Sequence, residues 1–214
     1  INPEKYAKFL IELSYFQGGG SVTDEDKMRG NLYITERLRK TAEKNFLTSE
    51  DFLKSLEILV TFYPDDRGNI ARLAQLTEKT NQFNMNKTPM SDADIANHIN
   101  NHNKLVVYTS ARDKFGDYGI IGFALVDKTS DVWSIDSMLM SCRALGRGIE
   151  EAFLEGLAQK ARDANAKKLH IKFVKTEKNQ PAEDFLNKYF SSDYHYDLAQ
   201  QPIMPSWINA SWKN

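Results

Sequence analysis

Three apolar runs, 104–110, 119–127 and 132–140, follow one another with only turn-like segments between them, and no other feature of the chain constrains its fold as much. Connections this short leave no room for a crossover helix, so the runs read as an antiparallel meander. The middle run is apolar on both parities, as expected of a central strand covered on both faces. The third contains a phase slip: Trp133 and Ile135 mark one face, while Met138 and Met140 fall on the opposite parity. A one-residue bulge near Asp136 or Ser137 returns all four to one side; a strand buried on both faces, with Leu139 on the second, explains the pattern nearly as well.

Helices and strands alternate around this meander. An apolar run over 57–63 precedes Ile70, Leu73, Ala74 and Thr77 at helical spacing, and Ser91 caps a short helix over 91–99. Beyond the meander, Ile149, Ala152, Phe153, Gly156 and Leu157 trace one buried helical face. Glu150 and Glu151 open that helix and Lys160 and Arg162 close it, the order the helix dipole favours. Leu169, Ile171 and Phe173 alternate in a further strand, Pro181 begins a helix ending near Tyr189, and Trp207 and Trp212 mark a last strand. Upstream, Thr23 with Asp26 and Thr48 with Asp51 are capping-box variants that start helices near 24–45 and 48–56, while Gly18, Gly19 and Gly20 read as a connector. The first of those helices, with Met28, Leu32, Leu38 and Ala42 among many charges, is expected on the surface. These signals predict an α/β chain with a mixed sheet over 57–214, preceded by a connector and helical segment over 1–56.

The 214 residues are 41% apolar and 27% charged, a globular composition, and the longest apolar run falls far short of the roughly 20 residues of a membrane span. A formal charge of -1 supplies no chain-wide field toward nucleic acid or an anionic membrane, so neither partner is expected and any anion site is local. A lone cysteine, Cys142, and no apolar leader fit the cytoplasm, and a start at Ile1 suggests a piece of a longer chain.

The chemistry concentrates in Arg143-Ala-Leu-Gly146-Arg147-Gly148, between a strand and the best-specified helix. Two glycines permit a tight turn, and free amides at a helix start beside Arg143 and Arg147 favour phosphate; the competing reading is a plain turn with two solvated arginines. Cys142, beside those arginines, is a candidate nucleophile or a small core residue. His98 and His102 have the spacing of a metal pair but no third ligand, so no metal is expected. Asp92-Ala-Asp94 reads as helix-start chemistry, and Lys167, Lys168 and Lys172 as a solvated face or a steering patch for an acidic partner.

The Arg143-x-x-Gly146-x-Gly148 turn resembles the pyrophosphate signature of the GNAT acyltransferase superfamily, and Asn179-x-x-Ala182-x-x-Phe185 resembles its second motif. The stretches 74–84, 113–117 and 141–150 are similar to the C-terminal GNAT-like domain of FkbH-like proteins, with the resemblance running from about 22 to 190. The resemblance implies coenzyme A or the 4'-phosphopantetheine arm of an acyl carrier protein as ligand. Met140, Cys142, Arg143, Leu145, Gly146, Arg147, Gly148 and Asn179 would hold it, with the arm beside strand 132–140. Asn81, Gln82, Phe83 and Asn84 would face an acceptor, or else terminate a helix. It also implies a partner: a HAD-type domain, absent from this sequence, that moves a glyceryl group onto the carrier for polyketide building blocks.

Acyl transfer needs a base for the nucleophile and an acid for the leaving thiolate. Asp136 is the candidate base and Tyr189 the candidate acid, because Leu186 stands where the superfamily's tyrosine is expected. Three readings stay open: an active acyltransferase, a non-catalytic module that docks a carrier protein, and a mononucleotide-binding domain, against which the antiparallel meander argues.

Overall fold

A computed structural model describes residues 24–213. The Gly18–Gly20 connector and the Thr23 cap lie outside them. The elements run α1 (Asp24–Glu43), α2 (Ser49–Ser55), β1 (Ile58–Pro64), α3 (Ile70–Lys79), β2 (Phe83–Asn84), α4 (Asp92–Ile99), β3 (Lys104–Asp113), β4 (Gly116–Asp127), β5 (Val132–Met140), a 3-10 turn (Cys142–Ala144), α5 (Ile149–Asp163), β6 (Lys168–Ile171), α6 (Gln180–Tyr189), β7 (His195–Asp197) and β8 (Ile208–Trp212).

The three apolar runs form the expected meander at the centre of an eight-stranded mixed sheet ordered β7-β6-β5-β4-β3-β1-β8, with β2 added to β5. β1–β3, β3–β4 and β4–β5 are antiparallel, whereas β5–β6 and β1–β8 are parallel. Where Leu125 opposes Ser137, the next residue, Val126, opposes Ile135, so Asp136 is the extra residue of a bulge. The bulge resolves the phase slip. Trp133, Ile135, Met138 and Met140 share one core, and Leu139 faces a second.

α2, α5 and α6 cover the first face through Phe52, Leu56, Phe153, Leu157, Phe185 and Leu186, and α3 and α4 cover the second through Leu73, Leu76 and Ile95. α5 sits unusually close to β1, because a Cβ at Gly156 would lie 2.7 Å from the Phe62 ring. The caps are as read: Thr48 Oγ1 accepts from Asp51 N, and Ser91 and Asp94 close a capping box that occupies the Asp92-Ala-Asp94 pair. Trp207 precedes β8 instead of belonging to it.

α1 lies on the surface, with Leu38 exposed, and is tied down by charge. Arg39, only 2% exposed, donates to both carboxylate oxygens of Asp113 at 2.7 and 2.9 Å, and Tyr118 donates to the same carboxylate at 2.7 Å. Burial alone would raise the Asp113 pKa, but those donors outweigh it and hold the carboxyl below its ordinary range.

Among the described residues no helix is long and apolar enough to cross a membrane, and no group of three or more potential metal ligands occurs.

Candidate functional site

The glycine turn forms where the sequence places it. Gly146 (φ 75°) and Gly148 (φ 82°) are left-handed, a backbone that L side chains adopt at a cost, and Gly148 is the N-cap of α5. A Cβ at Gly148 would lie 2.8 Å from Pro205, because the segment before β8 crosses the turn and Trp207 Nε1 donates to the Arg147 carbonyl at 2.9 Å.

Most of the polar groups of this turn have an internal partner, though Arg143 Nε and Glu150 Oε2 find none among the described residues. Gly146 N donates to Glu150 Oε1 at 2.8 Å, so a carboxylate sits where an anion was expected. Arg147 reaches both oxygens of Glu36 on α1 at 2.9 Å and also the Arg143 carbonyl. Arg143 folds back to donate to the Ile120 carbonyl at 3.0 Å; burial, and then the nearby Arg72, lower its pKa. Leu145 is partly buried against the core. The first amides of α5 have no intrahelical acceptor, and Glu150 and Glu151 place two carboxylates in that same turn.

The second feature is the edge of β5. Residues 132–135 pair with β6, after which the two strands part, and the opening is filled by the chain itself. Phe83 and Asn84 pair with Met140 and Leu139, Met85 N donates to the Met138 carbonyl at 2.9 Å, and Val174 N donates to the Met85 carbonyl at 2.8 Å. Asn179 locks the wedge: its Nδ2 donates to the Asn84 and Val174 carbonyls, each at 3.0 Å, and its Oδ1 accepts from Thr176 N. Phe83, Met85 and Asn179 are at most 2% exposed. Only Asn81 and Gln82 of the acceptor block face solvent; Phe83 and Asn84 are core.

An open groove of about 330 Å³ remains between α3 and the end of β5, lined by Arg72, Gln75, Leu76, Lys79, Thr80, Asn81, Gln82, Met140, Ser141 and Cys142. It brings together Met140, Cys142, Asn81 and Gln82 from the expected set, and Cys142 is exposed and not a core residue. The sequence reading missed Arg72, Gln75 and Lys79. Their i, i+3, i+7 spacing beside buried Leu73 and Leu76 was the signal.

The three candidate catalytic residues are not brought together. Asp136 sits in a charge network, with Lys104 and Lys172 each 2.7 Å from its carboxylate; burial pushes its pKa up, but the two lysines win and hold it low. Tyr189 donates to Glu151 Oε1 at 2.7 Å in a different recess, beside the glycine turn, and burial and then Glu151 raise its pKa. Leu186 is buried in the core.

No protein-family model matches the chain. No curated protein matches it either. Solved structures superpose on it at low identity. The ribosomal-protein-S18-alanine N-acetyltransferase of Escherichia coli aligns over 66% of this chain and 96% of its own at 11% identity, with a TM-score of 0.49. The ribosomal-protein-alanine N-acetyltransferase of Brucella melitensis biovar Abortus 2308 aligns over 60% and 89% at 16% identity, TM-score 0.47. The PaiA N-acetyltransferase of Thermoplasma acidophilum, solved with coenzyme A, aligns over 49% and 69% at 14% identity, TM-score 0.39.

Proposed function

We propose that this chain is a non-catalytic docking module of acyltransferase-like architecture that holds the phosphopantetheine arm of an acyl carrier protein for a HAD-type glyceryl transferase domain. One observation carries this reading: the slot along β5 expected to take a thioester arm is occupied by residues 83–86, locked by buried Asn179. As folded, the glycine turn also does not suit a pyrophosphate, since its Gly146 amide is taken by Glu150 and Arg147 is paired with Glu36. Asp136 and Tyr189 share no recess in which a base and an acid could act on one thioester.

The groove beside α3 supplies what an arm needs. Arg72 and Lys79 are cations for its phosphodiester, Gln75, Asn81 and Gln82 are partners for its two amides, and Met140 and Cys142 form a softer end for the sulfur.

Calorimetric titration of the full chain with holo-carrier protein, apo-carrier protein and coenzyme A tests the reading. Saturable binding of the holo form, at least tenfold weaker for the apo form, with no turnover of acetyl-coenzyme A, is expected. Acetyl transfer to any amine, or equal binding of apo and holo carrier, overturns it.

A further inference from the structure

The recess at the glycine turn has a use that the arm does not explain. It is a pocket of about 510 Å³ lined by Gly146, Gly148, Glu150, Glu151, Lys188 and Tyr189, and by apolar surface from Leu53, Ile203, Pro205 and Trp207. Its polar lining sets two carboxylates, Glu150 and Glu151, beside one cation, Lys188. Glu150 is 9% exposed; one of its oxygens accepts from Gly146 N, and the other, Oε2, is buried without a partner. Glu151 accepts from Tyr189 at 2.7 Å and lies 3.5 Å from Lys188 Nζ, and its Oε2 is likewise buried and unpartnered. Two adjacent carboxylates in one helical turn, each short of a donor, repel one another and carry the cost of unmet acceptors.

A ligand that relieves both penalties must bring donors and positive charge to the floor and apolar surface to the walls. We infer that this pocket binds an alkyl ammonium group, a primary amine on a short apolar stem, with Glu150 and Glu151 receiving the ammonium hydrogens. The stem lies against Leu53, Ile203 and Pro205, and the Trp207 ring favours the cation, the Tyr189 ring already carrying Lys188 Nζ 4.7 Å from its centroid. An anion meets two carboxylates against the single Lys188 here and is disfavoured, although the turn carries the glycine spacing of a phosphate site. The site is separate from the α3 groove, so its fate is independent of the docking reading.

The test is calorimetric titration of the full chain with butylammonium and hexylammonium at pH 8, with inorganic phosphate as the anionic control. One-to-one saturable binding is expected, tighter for the longer stem, weakened at least tenfold in Glu150→Gln and in Glu151→Gln, and unchanged in Arg72→Glu. Ile203→Trp, which fills the wall without touching either carboxylate, is expected to block binding as well and guards against a folding defect in the glutamine variants. Absence of saturable amine binding to the wild-type chain, equal affinity in Glu150→Gln, or phosphate binding lost in that variant overturns the assignment.

Discussion

The turn from β5 to α5 separates two recesses of opposite charge. On the α3 side the lining cations are Arg72 and Lys79, on exposed or half-buried positions of a helix surface. On the α5 side two carboxylates, Glu150 and Glu151, sunk into the first helical turn, outnumber the one lining cation, Lys188. The α5 side has the glycine spacing that suggests phosphate, yet its anion-binding capacity is consumed internally, because Glu150 reaches back to the Gly146 amide. The α3 side has no glycine turn and is the one that stays cationic and open. A backbone that can cradle an anion is therefore not a binding site until its side chains leave it free.

The wedge at 83–86 should carry the largest energetic effect. If residues 83–86 are permanent core, Phe83→Ala costs about 3–5 kcal/mol in denaturant unfolding, the usual range for a buried phenylalanine. A loss below about 1 kcal/mol would make the wedge a removable occupant and reopen the β5 slot to a thioester arm.

Next comes the pH dependence of the acidic recess. Burial, reinforced by Glu151, raises Glu150 to about 7, with Arg147 opposing the shift. A carboxyl raised in the folded state stabilises fully below its ordinary value of 4.5, and that stabilisation is lost as the pH rises through about 7, some 3 kcal/mol in all. Glu150→Gln keeps an acceptor for Gly146 and removes the titration, so it should be the more stable protein at pH 8 and show a flatter stability profile between pH 5 and 8. An unchanged profile assigns the pH dependence to another group.

On the basic side, reversing charge with Arg72→Glu should weaken holo-carrier binding about tenfold, roughly 1.4 kcal/mol, and leave amine binding alone. The smallest effect is expected at Asp136. Asp136→Asn removes a carboxylate paired with half-buried Lys104 and exposed Lys172 and should cost about 1 kcal/mol, with no change in affinity for the carrier. Because its pKa is held low, the contribution of Asp136 is present above the ordinary carboxylate range and fades as the pH falls through its lowered value. A carrier-binding defect in Asp136→Asn would return it to the ligand site.

Much of the fold was legible because hydrophobic period and caps are local properties. The meander, the Asp136 bulge, the capping box at Ser91 and the amphipathic α5 all follow from residues within a few positions of one another. β2 was not, since two residues of alternation at Phe83 and Met85 carry no signal until β5 and β6 part to receive them. The same holds for Asn179, whose motif spacing suggested a ligand contact and whose buried amide instead serves the Asn84 carbonyl, 95 residues away.

Short-range pattern and backbone allowance wrote the central meander, most of the elements around it and the glycine turn into the chain, and narrowed the phase slip at Asp136 to two readings. Tertiary structure alone decided what the turn and the slot contain. Glu150, Glu36 and the wedge at 83–86 satisfy the groups that looked free, and which partner a donor finds depends on distances in space that spacing along the chain does not encode.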